Sequence, residues 1–534
     1  MPEVITNNLD LWSSALLTKS TAGRGSNGKL EAYGIKKLRE LILELAISGR
    51  LLGNDTSGWT EALLGEIGDW GSGGTPLKTH SEYYGGDIPW LVIGDLNDGL
   101  VTKAQSCITQ LGLEKSSAQL VREGTLLIAM YGSIGKLGIA GIPCATNQAI
   151  AFCSPDSEQI ETQYLFLYLR AIRKHLLSRG QGLAQQNISQ KILKATSIKL
   201  PSLEEQHRIV AKVDELMALC DQLEQQQTDS IAAHQTLVAS LLGTLTRVET
   251  QQEFSAAWAR IASHFDTLFT NEASIDQLKQ TILQLAVMGK LVPQDTNAEP
   301  ARELLKCIQA EKAKLIAEGK IKKEKPLPDI GEDEKPFELP VGWEWARLDA
   351  ITSKITDGEH ISPLKTEAGM KLLTAKHVLD DGITLEDPQY VSLDDGIRFR
   401  ERCDPKTGDV LICSRGTIGR CCAIEVYEEF CLMGSVILAR PSGQIAPRYL
   451  ACYLKSEAGQ FFIRGATKGM AVNALYLKDI RLCSVPVPPR AEQHRIVAKV
   501  DELMALCDVL KVRLADAQAI QLHLADAIVE QAVC

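Results

Sequence analysis

One seventeen-residue segment occurs twice in this chain. The letters EQHRIVAKVDELMALCD occupy Glu205–Asp221 and return without a change at Glu492–Asp508. A chemical motif needs only a few residue types at fixed spacing. Seventeen identical positions therefore indicate a structural element that the protein uses twice.

The identity belongs to a longer internal repeat. Ile35–Leu52 resembles Ile275–Val292, and Gly124–Ala140 resembles Gly408–Ile424. The middle of the chain holds the partner of the C-terminal segment followed directly by the partner of the N-terminal segment, so joining residue 534 to residue 1 would recreate the middle. We predict a circularly permuted two-fold arrangement, in which two diverged blocks alternate with two near-identical helical modules.

Each copy of the segment predicts a long helix. Its apolar residues alternate steps of four and three, which is typical of a coiled-coil seam; a helix buried in an ordinary bundle is the alternative. Pro201 ends the preceding strand, and Ser202 with Glu205 fits a capping box. Polar positions such as Gln206 and His207 are repeated too, so we expect an exposed surface that binds one kind of partner twice. The predicted seam and partner-interface residues are Ile209, Val213, Leu216, Cys220 and Leu223, and Ile496, Val500, Leu503, Cys507 and Leu510.

The two diverged blocks read as strands with a few helices. The runs TLLIAM and DVLICS are candidates for buried strands, and each is followed by a glycine-containing turn, Tyr131–Lys136 and Arg415–Arg420. Glycine permits close backbone approach, and the flanking basic residues suit a phosphate or a base edge. A plain hairpin is the alternative, but the recurrence in both halves favours DNA.

The charge pattern adds to this hypothesis. The net charge of −10 argues mildly against nucleic acid, but a sum hides local patches. Thr162–Leu203 contains no acidic residue, and Arg440–Arg490 carries eight basic residues against two acidic ones. The predicted DNA-binding residues are Tyr131, Ser133, Lys136, Arg170, Arg173, Lys174, Arg179, Lys191 and Lys194 in the first block, and Arg415, Thr417, Arg420, Arg464, Lys468 and Lys478 in the second.

Enzymatic motifs are incomplete. The DPQY run ending at Tyr390 resembles the D-P-P-Y signature of amino-methyltransferases, but Gln389 breaks it. The fourteen cysteines form no C-x-x-C pair, so we expect reduced thiols and no metal site. Neither a signal peptide nor a membrane span is recognised. We predict a cytoplasmic, non-catalytic chain that binds rather than reacts.

Taken together, these motifs resemble the specificity subunit of a type I restriction–modification system. The resemblance covers nearly the whole chain and is carried by IKLPSLEEQHRIVAKVDEL, VPVPPRAEQHRIVAKVDEL, DVLICSRGTIGR, GWEWARL and ILQLAVMGKLV. It implies an α+β fold with two mixed α/β target-recognition domains separated by long antiparallel coiled-coil helices. A non-catalytic coiled-coil adaptor with two ligand-binding domains is the alternative function.

The resemblance also implies partners and boundaries. Two modification subunits that carry S-adenosylmethionine would dock on the repeated helices, restriction subunits that use ATP and magnesium would join, and double-stranded DNA would be read as a split site. No cofactor is expected on this chain. The expected divisions are an N-terminal helical segment (1–57), a first recognition domain (58–201), a central helical region (202–295), a helix and charged linker (296–341), a second recognition domain (342–488) and a C-terminal helix (489–534).

Overall fold

The computed structural model describes residues 3–19, 29–53, 56–179, 187–295, 297–322, 325–425, 428–467 and 473–533. The chain forms two compact units. The first unit consists of Met1–Ile231 together with Asp516–Cys534, and the second is Ala232–Ala515. The first unit is therefore assembled from both ends of the sequence, as the rotated order of the repeats predicts.

The first unit is a mixed α/β structure. Its helices are α1 (Glu3–Thr6), α2 (Leu9–Ser14), α3 (Tyr33–Ile47), α4 (Gln110–Glu114), α5 (Thr162–Ala171), α6 (Arg173–Ser178), α7 (Gln190–Lys194) and the N-terminal part of α8 (Leu203–Arg247). Its strands are β1 (Leu17–Lys19), β2 (Lys29–Glu31), β3 (Thr60–Leu63), β4 (Gly68–Ser72), β5 (Tyr84–Leu91), β6 (Leu100–Val101), β7 (Ser106–Ile108), β8 (Leu120–Val121), β9 (Leu126–Ala129), β10 (Leu137–Ala140), β11 (Cys144–Thr146), β12 (Ile150–Pro155) and β13 (Ser197–Leu200).

The second unit repeats this plan. Its further helices are α9 (Gln251–Ser263), α10 (Phe265–Leu268), α11 (Glu272–Val287), α12 (Ala301–Ala317), α13 (Leu348–Ile351), α14 (Leu393–Arg402), α15 (Pro447–Lys455), α16 (Glu457–Ala466), α17 (Leu477–Ile480) and α18 (Arg490–Val533) as far as Ala515. Its strands are β14 (Glu344–Arg347), β15 (Thr352–Asp357), β16 (Met370–Leu373), β17 (Gln389–Val391), β18 (Val410–Cys413), β19 (Cys421–Ala423), β20 (Phe430–Leu432), β21 (Val436–Pro441) and β22 (Ser484–Val487).

The sheets of the two units have matching strand orders. The first unit has a sheet β4-β12-β9-β10-β6, a sheet β7-β5-β11-β8 and a pair β13-β3. The second has β15-β21-β18-β19, β17-β16-β20 and β14-β22 in the corresponding places. The predicted strands are present as β9 and β18, and all four residues of each are buried. Burial of both faces explains why these strands read as continuous apolar runs rather than as alternating patterns.

The long helices run antiparallel within each unit. In the first unit, α3 packs between them: Arg39 reaches Asp221 of α8 at 2.7 Å, and Lys37 reaches Asp526 of α18 at 2.7 Å. After the end of α3, Arg50 donates to Ala532 O of α18 at 3.0 Å and Trp59 donates to Glu205 of α8 at 3.3 Å. The chain thus meets earlier residues of α8 and later residues of α18, so the two long helices have opposite directions. All ten predicted seam residues are buried or half-buried.

The second unit contains an ion pair equivalent to Arg39–Asp221. Lys279 of α11 pairs with Asp508, which occupies the repeat position of Asp221. A second link joins Asp276 to Lys511 at 2.5 Å. The helical module is therefore repeated in its side-chain contacts and not only in its letters.

One expectation about the repeated surface was wrong. We expected Gln206 to be exposed, but it is completely buried at the start of α8. Its Oε1 accepts a hydrogen bond from the Glu161 N–H at 2.8 Å, and its Nε2 donates to the carbonyls of Gln159 and Pro201 at 2.9 and 3.0 Å. A buried amide is stable only when its polar atoms are paired, and here three backbone groups pair with it.

Gln493 makes the same kinds of hydrogen bond at the start of α18. Its Oε1 accepts from the Ala446 N–H at 2.7 Å, and its Nε2 donates to the carbonyls of Gln444 and Pro488 at 3.4 and 3.1 Å. Both glutamines thus tie a long helix to the loop that precedes a shorter helix, α5 in the first unit and α15 in the second. The identity of this residue in both copies follows from an internal bonding pattern.

The glutamate before each glutamine has an internal partner as well. Trp59 donates its indole N–H to Glu205 at 3.3 Å, and Trp343 donates to Glu492 at 3.1 Å. Glu205 is half-buried and Glu492 is buried, so the expectation of exposure was wrong for Glu205 too. Burial raises the pKa of the Glu492 carboxyl above its ordinary value, although the hydrogen bonds from Trp343 and Gln294 act to lower this pKa.

No helix in the described part of the chain is long and apolar enough to cross a membrane. The thirteen cysteines that the structure describes are free thiols, and eleven of them are buried. Burial raises the pKa of the thiols, for example to about 12 for Cys403 and Cys422. Within the described residues, no group of histidine, cysteine and carboxylate side chains has an arrangement that could hold a metal ion.

Candidate nucleic-acid interface

The two glycine-containing turns have the same backbone. In the first unit, Ala129 N donates to Lys136 O at 2.9 Å, and Gly135 N donates to Ala129 O at 2.9 Å. In the second unit, the equivalent bonds join Cys413 to Arg420 at 2.8 Å and Gly419 to Cys413 at 3.0 Å. The sequence relation between YGSIGK and RGTIGR is therefore a relation of three-dimensional structure.

Glycine is required at both ends of each turn. Gly132 and Gly135 have φ angles of 64° and 75°, in the left-handed region that other residues rarely adopt. A Cβ on Gly135 would also lie 2.9 Å from Cγ of Arg173. Gly419 is similarly crowded by Gln460, whose Oε1 would lie 2.7 Å from an added Cβ. In each turn, the side chain of a helix residue, Arg173 or Gln460, thus packs against the second glycine.

In the first unit that side chain belongs to an ion pair. The guanidinium of Arg173 binds both carboxylate oxygens of Asp98, one of them at 3.0 Å. Asp98 also accepts a hydrogen bond from Leu137 N at 2.9 Å, directly after the turn. Burial alone would raise the pKa of Asp98, but the hydrogen bonds from Arg173 and Leu137 leave this pKa below its usual value. We call Asp98 and Arg173 the turn brace.

In the second unit a neutral side chain supports the turn. Gln460 donates from Nε2 to the carbonyls of Gly419 and Leu454, at 3.0 and 2.7 Å. The next residue on α16, Phe461, is 73% exposed and lies three residues before the predicted DNA-binding residue Arg464. The helix that supports the second turn therefore carries an exposed aromatic ring and an exposed guanidinium.

The structure sorts the predicted DNA-binding residues by accessibility. Lys136 is half-buried, and its Nζ donates to Ile93 O at 3.4 Å. Arg170 is half-buried, and burial lowers the pKa of its guanidinium. Lys174 is exposed but pairs with Glu40 at 2.6 Å. Arg173 and Arg420 are also half-buried, Lys468 lies outside the described residues, and the exposed members are Tyr131, Ser133, Lys174, Arg179, Lys191, Lys194, Arg415, Thr417, Arg464 and Lys478.

Sequence reasoning missed the residues that hold the turns. Asp98 lies in an N-D-G run, a typical turn signal, and its φ of 58° fits that role. Gln460 has no such local signal, because its partners are backbone carbonyls of two other segments.

Comparison with known proteins decides the family. The model of the type I restriction modification DNA specificity domain matches residues 56–233 and again residues 350–516, together more than half of the chain. The chain belongs to this family. It is a specificity subunit of a type I restriction–modification system, with two target-recognition domains.

The full-length relatives agree. The specificity subunit of the type I restriction enzyme EcoEI from Escherichia coli is 36% identical over 595 aligned residues, which cover 99% of each chain. The specificity subunit of EcoAI, also from Escherichia coli, is 36% identical over 589 residues with the same coverage. The crystal structure of the HsdS subunit from Thermoanaerobacter tengcongensis aligns with 89% of this chain and 97% of its own, at 20% identity and a TM-score of 0.41.

Proposed function

We propose that this specificity subunit reads a bipartite DNA site with its two recognition domains and docks one methyltransferase subunit on each copy of the repeated helix. The observation that carries the docking proposal is a set of exposed residues repeated between α8 and α18. These residues contribute to neither core, so a fold requirement does not explain their identity.

The repeated residues first need to be sorted. Gln206 and Glu205 are used internally, as are the seam residues. Asp221 and Asp508 bind Arg39 and Lys279. Several exposed residues remain, and five of them in each copy form one stripe, because they fall on the same face of the helix. The stripe consists of Arg208, Ala211, Glu215, Ala218 and Leu219 on α8, and of Arg495, Ala498, Glu502, Ala505 and Leu506 on α18.

The stripe has features that suit close contact with a partner helix. Leu219 and Leu506 are 44% and 55% exposed, at the same repeat position. Alanines on either side of Glu215 would let a partner helix approach closely, and arginine is enriched in the centres of protein interfaces. We call these residues the docking stripe. Two identical docking stripes fit two copies of one partner.

The proposal that the chain binds DNA rests on the two glycine-containing turns. Both present exposed side chains beside basic residues, and such loops suit contact with phosphate or base edges. The side chains differ between the domains, Tyr131 against Arg415 and Ser133 against Thr417, which supports different half-sites. In this proposal the chain works in the cytoplasm and binds no cofactor, while the methyltransferase subunits supply S-adenosylmethionine and restriction subunits supply ATP and magnesium chemistry.

Native mass spectrometry of the co-expressed complex tests the docking stripes. Leu219→Asp should remove one methyltransferase copy and leave the other, and the double variant with Leu506→Asp should remove both. Val512→Asp is the matched control, because this valine is 61% exposed on α18 at a position where α8 has Gln225. Loss of both copies from either single variant, or of neither from the double variant, would contradict the proposal.

Methylation assays test the reading role. The purified chain should transfer no methyl group to DNA on its own, and adding the methyltransferase subunit should give adenine methylation at one split sequence. Methyl transfer by the chain alone would overturn its non-catalytic assignment.

A further inference from the structure

The diverged recognition domains share a tetrapeptide whose last three residues are exposed. Pro-Leu-Lys-Thr occupies Pro76–Thr79 in the first domain and Pro363–Thr366 in the second. Both copies lie in the same connection, from the first strand of one sheet to the first strand of the other: β4 to β5, and β15 to β16. We call them the PLKT loops. Few positions of these loop-rich blocks agree so closely.

The PLKT loops are held in place but leave two side chains unused. Tyr84 donates its hydroxyl to Pro76 O at 2.5 Å, and Thr366 N donates to Tyr390 O at 3.0 Å. Leu77 and Leu364 are nevertheless 63% and 86% exposed. Lys78 and Lys365 are exposed as well, and neither forms an ion pair or side-chain hydrogen bond with any residue that the structure describes. A single exposed leucine needs no explanation, but the same fixed loop in two domains does.

Strand register brings each PLKT loop to the edge that carries the glycine turn. In the first unit, β4 and β9 both pair antiparallel with β12, and their last residues, Ser72 and Ala129, meet its first two residues. The strands therefore end at the same edge, about 10 Å apart across one intervening strand. In the second unit, β15 and β18 end in the same way beside the start of β21, at Asp357 and Cys413.

We propose that the PLKT loops are a pair of sequence-independent contacts to the DNA backbone. Each lysine binds a phosphate, and each leucine lies against the adjoining deoxyribose. Two different half-sites have only the sugar–phosphate backbone in common, so a DNA contact repeated in both domains is made to that backbone. The positive charge and the shared edge favour DNA over a protein partner. This inference rests on the proposed function.

The test uses the complex of the full chain with its methyltransferase subunits. The variant is Lys78→Gln with Lys365→Gln, and binding is measured on a duplex carrying the methylated site and on a scrambled duplex. The control is Lys103→Gln with Lys406→Gln. Lys103 follows β6, which is parallel to β10, and Lys406 precedes β18, so both exposed lysines lie at the opposite edge of their sheets.

Two lost phosphate contacts should lower the salt slope of binding by about 1.8, at about 0.9 per contact. From that slope, the ratio of the affinity of the unaltered complex to that of the variant should be about 12-fold smaller at about 200 mM salt than at about 50 mM salt. We call this ratio the affinity deficit of the variant. The deficit should be equal on both duplexes, and the control should behave as the unaltered complex. Leu77→Ala with Leu364→Ala should weaken binding to both duplexes without changing the slope.

Three outcomes would overturn the inference. An unchanged salt slope would show that the two lysines do not contact DNA phosphates. Loss of methyltransferase from the variant complex would make the PLKT loops a protein dock, and a deficit confined to the methylated site would make them base readers. If the unaltered complex itself failed to bind either duplex, the proposed function would fail instead.

Discussion

Replacing a buried glutamine tests whether internal hydrogen bonds explain why Gln206 and Gln493 are identical in the two copies. Gln206→Leu removes the partner of one N–H and two carbonyl groups, in Glu161, Gln159 and Pro201. At about 1 kcal/mol for each unsatisfied group, the free energy of unfolding of the first unit should fall by about 3 kcal/mol. Gln493→Leu loses the same three kinds of partner, so its effect on the second unit should agree within about 1 kcal/mol.

Hydrogen exchange followed by mass spectrometry resolves the two units. Peptides that contain the Glu161 amide should lose protection in Gln206→Leu, while peptides that contain the Ala446 amide keep it. The reverse should hold for Gln493→Leu. Gln226→Leu is the control: this glutamine is exposed on α8, and a surface substitution costs less than about 0.5 kcal/mol. Unchanged protection at Glu161 would refute the bonding argument.

A second substitution gives the same site a pH dependence. Gln206→Glu keeps an acceptor for Glu161 N but places a carboxylate against the carbonyls of Gln159 and Pro201. The folded-state pKa of this new carboxyl should therefore lie above the unfolded value of about 4.3. Its stability contribution is present below the unfolded pKa and is lost as pH rises through the folded pKa. The variant should approach the unaltered protein in acid and fall furthest behind it at neutral pH.

Three further outcomes are expected. Asp98→Asn removes the turn brace. Because the pKa of Asp98 is lowered in the folded protein, the brace stabilises the fold above the unfolded pKa, and this stabilisation is lost as the pH falls through the folded pKa. Urea unfolding should therefore show a less stable variant at neutral pH and no difference from the unaltered protein in strong acid. Lys191→Gln with Lys194→Gln should weaken DNA binding across all sequences and lower the salt slope by about 0.9 per contact; an unchanged slope would place these lysines away from phosphate. Exchanging Gly342–Pro486 for the matching block of a related subunit should change one half-site in a methylation map, and a change in both would contradict independent reading.

The elements with dense local patterns were predictable. The seam of α8 and the buried strands β9 and β18 repeat apolar residues at the spacing of their own secondary structure. The repeat made these predictions stronger, because each pattern occurs twice. The circular order of the segments likewise anticipated a first unit built from both ends of the chain.

Partners distant in sequence were not predictable. Gln206 looked like a solvated helix residue, because the backbone groups that bury it lie about forty residues earlier. Arg173 looked free in a stretch without acidic residues, but its partner Asp98 lies 75 positions away. Local composition gives the charge of a side chain, whereas its availability depends on which segments the sheets bring together.

The split composition of the first unit has a consequence for synthesis on the ribosome. Residues 1–231 leave the ribosome first, but the helix that completes their unit, Asp516–Val533, follows only after the 284 residues from Ala232 to Ala515. At about 5–20 residues per second, that delay is about 14–60 s. The second unit can meanwhile fold entirely from its own contiguous stretch. Nascent chains should therefore leave uncovered, for about half of translation, the core residues of the first unit against which Leu522, Ile528 and Val529 pack. Chaperones should engage the older half of the protein more than the younger half.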